Sequence, residues 1–107
     1  MIGSLALVGS GEYLPAMASF EQSLIDDGIK NGKRAIYVQI PTAAGQESDD
    51  RLEYWKQLGK TQADRLGVDS IFLPIYTRED ANNPDFVSLI HNCALIYICL
   101  LYTSDAA

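Results

Sequence analysis

Leu5-Ala6-Leu7-Val8-Gly9-Ser10-Gly11-Glu12-Tyr13-Leu14-Pro15-Ala16-Met17 is the stretch from which the fold is read. It begins as a short apolar run, the pattern of a strand buried on both faces. Gly9-Ser10-Gly11 breaks that run, and glycine lets the backbone turn tightly and lets a ligand approach the main chain. Pro15 stands where it suits the first turn of a helix. A strand, a glycine turn ending in an acid, and a helix start make the kind of crevice in which open α/β sheets hold ligands.

The rest of the chain repeats this grammar. Ile2 to Val8 is expected to be the first strand, and Pro15 to Lys30 a helix that turns Met17, Phe20, Leu24 and Ile25 to one face. Asn31-Gly32 stops it. Arg34 to Ile40 reads as the second strand, ended by the small-residue loop Pro41-Thr42-Ala43-Ala44-Gly45. Ser48 is a natural N-cap, with Asp49 and Asp50 in a first turn that favours negative charge. That helix is expected to run to about Leu66, burying Leu52, Trp55, Leu58 and Leu66. Gly59 and Ala63 allow close packing, and Gly67 closes the helix.

Val68 or Ser70 to Ile75 is the expected third strand, followed by a polar loop from Thr77 to Asn83. Arg78, Glu79 and Asp80 in that loop are solvated but lie on the rim where such sheets bind ligands. Asn83-Pro84 starts a short helix to Asn92 with Val87 and Ile90 inward, and Cys93 to about Leu100 is a fourth apolar strand. The order βαβαβαβ predicts a parallel sheet with right-handed crossovers, a three-layer doubly wound α/β domain. Its sheet is open-ended and reads as the front half of a larger domain. Residues 102–107 have no periodicity.

Composition narrows the function classes. Hydrophobic residues are 48% and charged residues 21%, ordinary for a soluble globular domain. The net charge of −6 disfavours nucleic acid, which needs a clustered basic surface, and an anionic membrane. No stretch approaches the ~18 apolar residues of a membrane span. No basic segment precedes the first apolar run, so a secretory signal is not expected and the cytoplasm is the default. Cys93 and Cys99 flank one predicted strand and are expected to be free thiols.

Each candidate motif has a structural explanation beside the functional one. A dinucleotide site wants a third glycine where Leu14 stands, and an acid where the second strand ends in Ile40-Pro41-Thr42. No phosphate-binding Lys-Ser/Thr follows the glycines, which excludes a P-loop. Ser10 is not in a Gly-x-Ser-x-Gly elbow, since Val8 and Glu12 hold the outer positions. It is a turn residue or a donor to a ligand. Glu12 is either a helix-entry acid stabilised by the helix dipole or a group that orients a substrate amine or catalytic partner. His91, the single histidine, ends a helix where a cation is favourable and is read as structural. No His/Cys cluster has metal-ligand spacing, so neither a metal nor another cofactor is expected.

At Gly9-Ser10-Gly11-Glu12, Ile40-Pro41-Thr42-Ala43-Ala44-Gly45, Leu66-Gly67-Val68 and Thr77-Arg78-Glu79-Asp80-Ala81 the chain resembles the S51 serine peptidases, the dipeptidase E and cyanophycinase relatives. The resemblance covers residues 2 to 98. It implies a class I glutamine amidotransferase-like fold of the flavodoxin-like kind. It also implies hydrolysis of peptide bonds next to acidic residues by a serine with a histidine and an acid. Family members continue after the fourth strand into a glycine-rich oxyanion loop, a serine elbow and then the histidine. Here Ile98 is followed by Cys99-Leu100-Leu101-Tyr102-Thr103-Ser104-Asp105-Ala106-Ala107, which looks foreign to the domain. Ser104 lacks the elbow, and no catalytic residue of the family is carried over.

The expectation is therefore residues 1–98 of an S51-like peptidase domain plus a tail, 99–107. It would keep part of a substrate crevice at Ser10, Gly11, Glu12 and Thr42 but lack catalysis. Its partner in a complete protein is a small peptide, and its assembly a monomer or homodimer. The competing expectations are a non-enzymatic α/β ligand-binding or interaction domain and, more weakly, a nucleotide-binding piece.

Overall fold

A computed structural model describes residues 13–44 and 48–98. The expected first strand, the Gly9–Gly11 turn, Gly45 and the 99–107 tail lie outside the described residues.

A 3-10 turn at Pro15–Met17 leads into helix α1, Ala18–Lys30. Strand β1 is Arg34–Ile40, with the bounds expected from the sequence, and a second 3-10 turn follows at Thr42–Ala44. Helix α2, Asp49–Leu66, begins at Ser48, whose hydroxyl accepts the Arg51 amide, and ends at Gly67 in the left-handed conformation (φ 72°). Both ends follow from local chemistry: a serine satisfies an orphan amide, and glycine has no Cβ to clash at positive φ. Strand β2 is Asp69–Phe72. Helices α3 (Arg78–Ala81) and α4 (Pro84–His91) precede strand β3, Cys93–Ile98.

Among the described residues the sheet has three parallel strands in the order β2-β1-β3. The chain steps from β1 through α2 to β2, then crosses back over β1 to β3. Right-handed crossovers in opposite directions put their helices on opposite faces. The packing agrees. Tyr37, with Leu95 and Tyr97, packs against α1 and α2 through Ile25, Trp55, Leu58, Ala63 and Leu66. Val38, Leu73, Ile75 and Cys93 pack on the other side against Phe86 and Ile90 of α4. Tyr37 and Val38 are both fully buried, which is why β1 reads as a near-continuous apolar run.

Several expectations are corrected. The third strand stops at Phe72 rather than Ile75. Leu73 still donates to the Gln39 carbonyl at 2.9 Å, but Pro74 has no N–H to continue the ladder. The Thr77–Asn83 loop contains α3, started by a reciprocal capping box between Thr77 and Asp80. Phe20 is 44% exposed and Val87 51% exposed, so neither faces the core; Glu21 and Phe86 turn inward instead. Cys93 is a buried free thiol, and burial pushes its pKa up; Cys99 lies outside the described residues.

Candidate functional site

In a parallel sheet every strand ends on the same edge, and there the connecting loops form a rim. The rim following β1 and β2 is stitched by Thr42, whose Oγ1 donates to the Ile75 carbonyl at 2.5 Å. Asp80 holds the next segment: its Oδ2 accepts the amides of Tyr76 at 3.0 Å and Thr77 at 3.2 Å. The Thr77 hydroxyl in turn accepts the Asp80 amide at 3.1 Å. The Tyr76 hydroxyl is pushed up by desolvation and then by the charges of Asp49 and Asp80, so it stays a proton donor.

An aromatic group meets this edge from the other face. Tyr13 follows Glu12 directly and is a non-glycine residue at positive φ (63°). Its ring is buried, stacked on Tyr97 with centroids 4.5 Å apart and tilted against Trp55 at 6.4 Å. A bulky residue held in the left-handed region is strained and persists only where its surroundings over-determine it. Here the two aromatic neighbours do so. On the first turns of α2, Arg51 lies over the rings of Tyr54 (4.9 Å) and Trp55 (5.2 Å). A guanidinium above two ring faces is held there electrostatically.

Beneath the rim runs a buried polar seam. Tyr37 donates from its hydroxyl to Glu21 Oε1 at 2.9 Å, and Glu21 is only 3% exposed. Gln62, fully buried, donates from Nε2 to the Leu14 carbonyl at 3.2 Å and accepts from Arg65 through Oε1.

Of the expected site residues, Thr42 is on the rim, but its hydroxyl is spent on the Ile75 carbonyl. Ser10, Gly11 and Glu12 lie outside the described residues. His91 ends α4, directly before Asn92 and the start of β3, and so sits at the opposite edge of the sheet. Its backbone carbonyl accepts Lys33 Nζ at 3.1 Å. Among the described residues no group of three or more His, Cys, Asp or Glu could hold a metal ion. No helix among them is long and apolar enough to cross a membrane. Tyr13, Arg51 and Tyr76 are rim residues that sequence reasoning passed over. Thr77-x-x-Asp80, a capping-box spelling, would have ordered the segment next to Tyr76.

No protein-family model and no curated protein matches the chain. Its fold is similar to the crystal structure of a peptidase from an acI-B1 actinobacterium, with a TM-score of 0.88 at 68% identity. The match covers 92% of this chain and 40% of that one, so the chain spans well under half the length of the peptidase it resembles.

Proposed function

We propose that this chain is the leading part of an S51-like serine peptidase acting on peptides with acidic residues, and that on its own it cleaves nothing. The observation that carries the reading is the 68% identity to a peptidase over 92% of the chain. The share of that peptidase it spans, 40%, leaves room elsewhere for a nucleophile and its base. The described rim fits a substrate-positioning role, with Tyr76 as a donor and Thr42 and Asp80 fastening the loops. In the complete protein a serine would attack the peptide carbonyl, and backbone amides would stabilise the oxyanion. The preference for acidic residues rests on the S51 resemblance.

The test joins residues 1–98 to the remainder of the actinobacterial peptidase and compares the chimaera with the 107-residue chain on aspartyl dipeptides. Turnover by the chimaera and none by the chain alone is the expected result. Turnover by the purified chain would refute its inactivity, and a folded but inert chimaera would refute the peptidase reading.

A further inference from the structure

We propose that the α4 side of β3, at Ile96 and Ile98, is a docking face for one helix of the remainder of the peptidase, the helix that leads onward from β3. The inference rests on the reading of this chain as the leading part of a larger peptidase. It adds the surface, the side of the sheet and the kind of element that meets it.

The two faces of β3 differ. Leu95 and Tyr97 belong to the α1 side and are partly buried there. Helix α1 comes so close that a Cβ on Gly28 would lie 2.7 Å from the Ala94 carbonyl oxygen. Ile96 and Ile98 belong to the other side and are 41% and 59% exposed. Their partners across the ladder are Val38 and Ile40 of β1. Val38 is fully buried, in the cluster that Phe86 and Ile90 of α4 cover. Neighbouring strands lie roughly 4.8 Å apart, so the cover given by α4 ends within one strand spacing. At about 100° per residue, Val87 and Leu89 fall on opposite flanks of the inward pair Phe86 and Ile90. Both are exposed, so an apolar flank of α4 borders the bare isoleucines.

Parallel sheets are covered on both faces, and a contiguous apolar strip left open marks a place that another segment fills. Handedness says which segment. Helix α4 carries the chain from β2 past β1 to β3 on this face. A right-handed connection that continues outward in the same sense places its helix on the same face, over Ile96 and Ile98. A helix suits the strip because it satisfies its own backbone while laying one apolar stripe on the sheet. The chain to supply it exists in the similar peptidase, of which this chain spans 40% with β3 as its last described strand.

The test compares one substitution in two settings, the 107-residue chain and the chimaera of residues 1–98 with the remainder of the actinobacterial peptidase. Ile98→Asp is expected to lower the urea midpoint of the chimaera by about 1 M or more, because it buries an unpaired charge, and to leave that of the chain within about 0.3 M. Should the aspartate keep the chimaera from folding, Ile98→Ala carries the comparison, with a loss expected in the chimaera alone. Equal shifts in the two settings overturn the docking face, as does a parent chimaera that never folds. A loss in the chain itself that grows with protein concentration would give the face to a second copy and overturn the proposal too. Turnover does not enter this comparison, so a folded, inert chimaera refutes the peptidase reading while the midpoints still decide the surface.

Discussion

Gly59 sits directly against the side-chain amide of Gln39, so closely that a Cβ at position 59 would overlap that amide. Gln39 is 1% exposed and donates from Nε2 to the Trp55 carbonyl at 3.0 Å, inside the same helix. The contact sets how near α2 lies to β1. Gly59→Ala must push Gln39 off its acceptor or lift the helix, and overpacking of this kind costs about 1–3 kcal/mol. Urea unfolding should show that loss, and it should shrink in the Gln39→Ala background because the two changes share one space. At Gly28 the obstacle is backbone: an added Cβ would lie 2.7 Å from the Ala94 carbonyl oxygen, so no side-chain deletion should rescue Gly28→Ala.

Thr42 should matter for stability more than its exposure suggests. Thr42→Val keeps the shape and loses the bond to the Ile75 carbonyl, leaving a partly buried acceptor. The expected cost is about 1 kcal/mol in denaturant unfolding, with Thr42→Ser retaining most of the stability. Equal stability of the valine variant and the parent would show the hydroxyl to be idle.

The pH dependence of folding follows from Glu21. Its pKa is raised in the folded state, chiefly by burial, so the native protein holds this proton to higher pH than the unfolded chain does. The contribution is complete below the unfolded carboxylate value and is lost as pH rises through the raised native one. The stability of Glu21→Gln relative to its parent should widen across that window and level off above it. Denaturant midpoints at a series of pH values measure this; a constant gap would contradict it.

Cys93 should be slow to react. It is 7% exposed, its pKa is raised by desolvation, and its Sγ donates to the Ile90 carbonyl at 3.2 Å. Alkylation of the peptide containing Cys93, followed by mass spectrometry, should be slower in the native protein than in urea by at least roughly tenfold, since the thiolate is the reacting form.

Much of this fold is legible in the order of residues because the signals are local. Ser48, Gly67 and Asn83 cap helices through bonds made within a turn, Pro84 suits the first helical position by its fixed φ, and β1 declares itself as a buried run between glycine and proline. The helix faces are less legible. The apolar spacing of Met17, Phe20, Leu24 and Ile25 points to one stripe, yet Glu21 is buried and Phe20 is not. What rotates the stripe is Tyr37, a residue on another element whose buried hydroxyl needs an acceptor. Likewise Thr42 could be placed at a strand end from sequence, but its partner Ile75 is brought to it only by the pairing of β1 with β2. The rim is half legible for the same reason: residue types are visible, whereas their commitments to one another are tertiary.

The pairing of the strands also dictates when this protein can assemble. Ile36 meets Asp69, and Tyr37 meets Leu95, each partner separated from the other by at least one whole helix. No hairpin among the described strands offers a nucleus, and long-range pairing of this sort is slow. During synthesis β1 emerges from the ribosome long before either partner exists, with Tyr37 and Val38 uncovered. The nascent chain must therefore rely on α1 and α2 to shelter that strand until β3 arrives, which makes the interval before translation of Ile98 its most vulnerable moment.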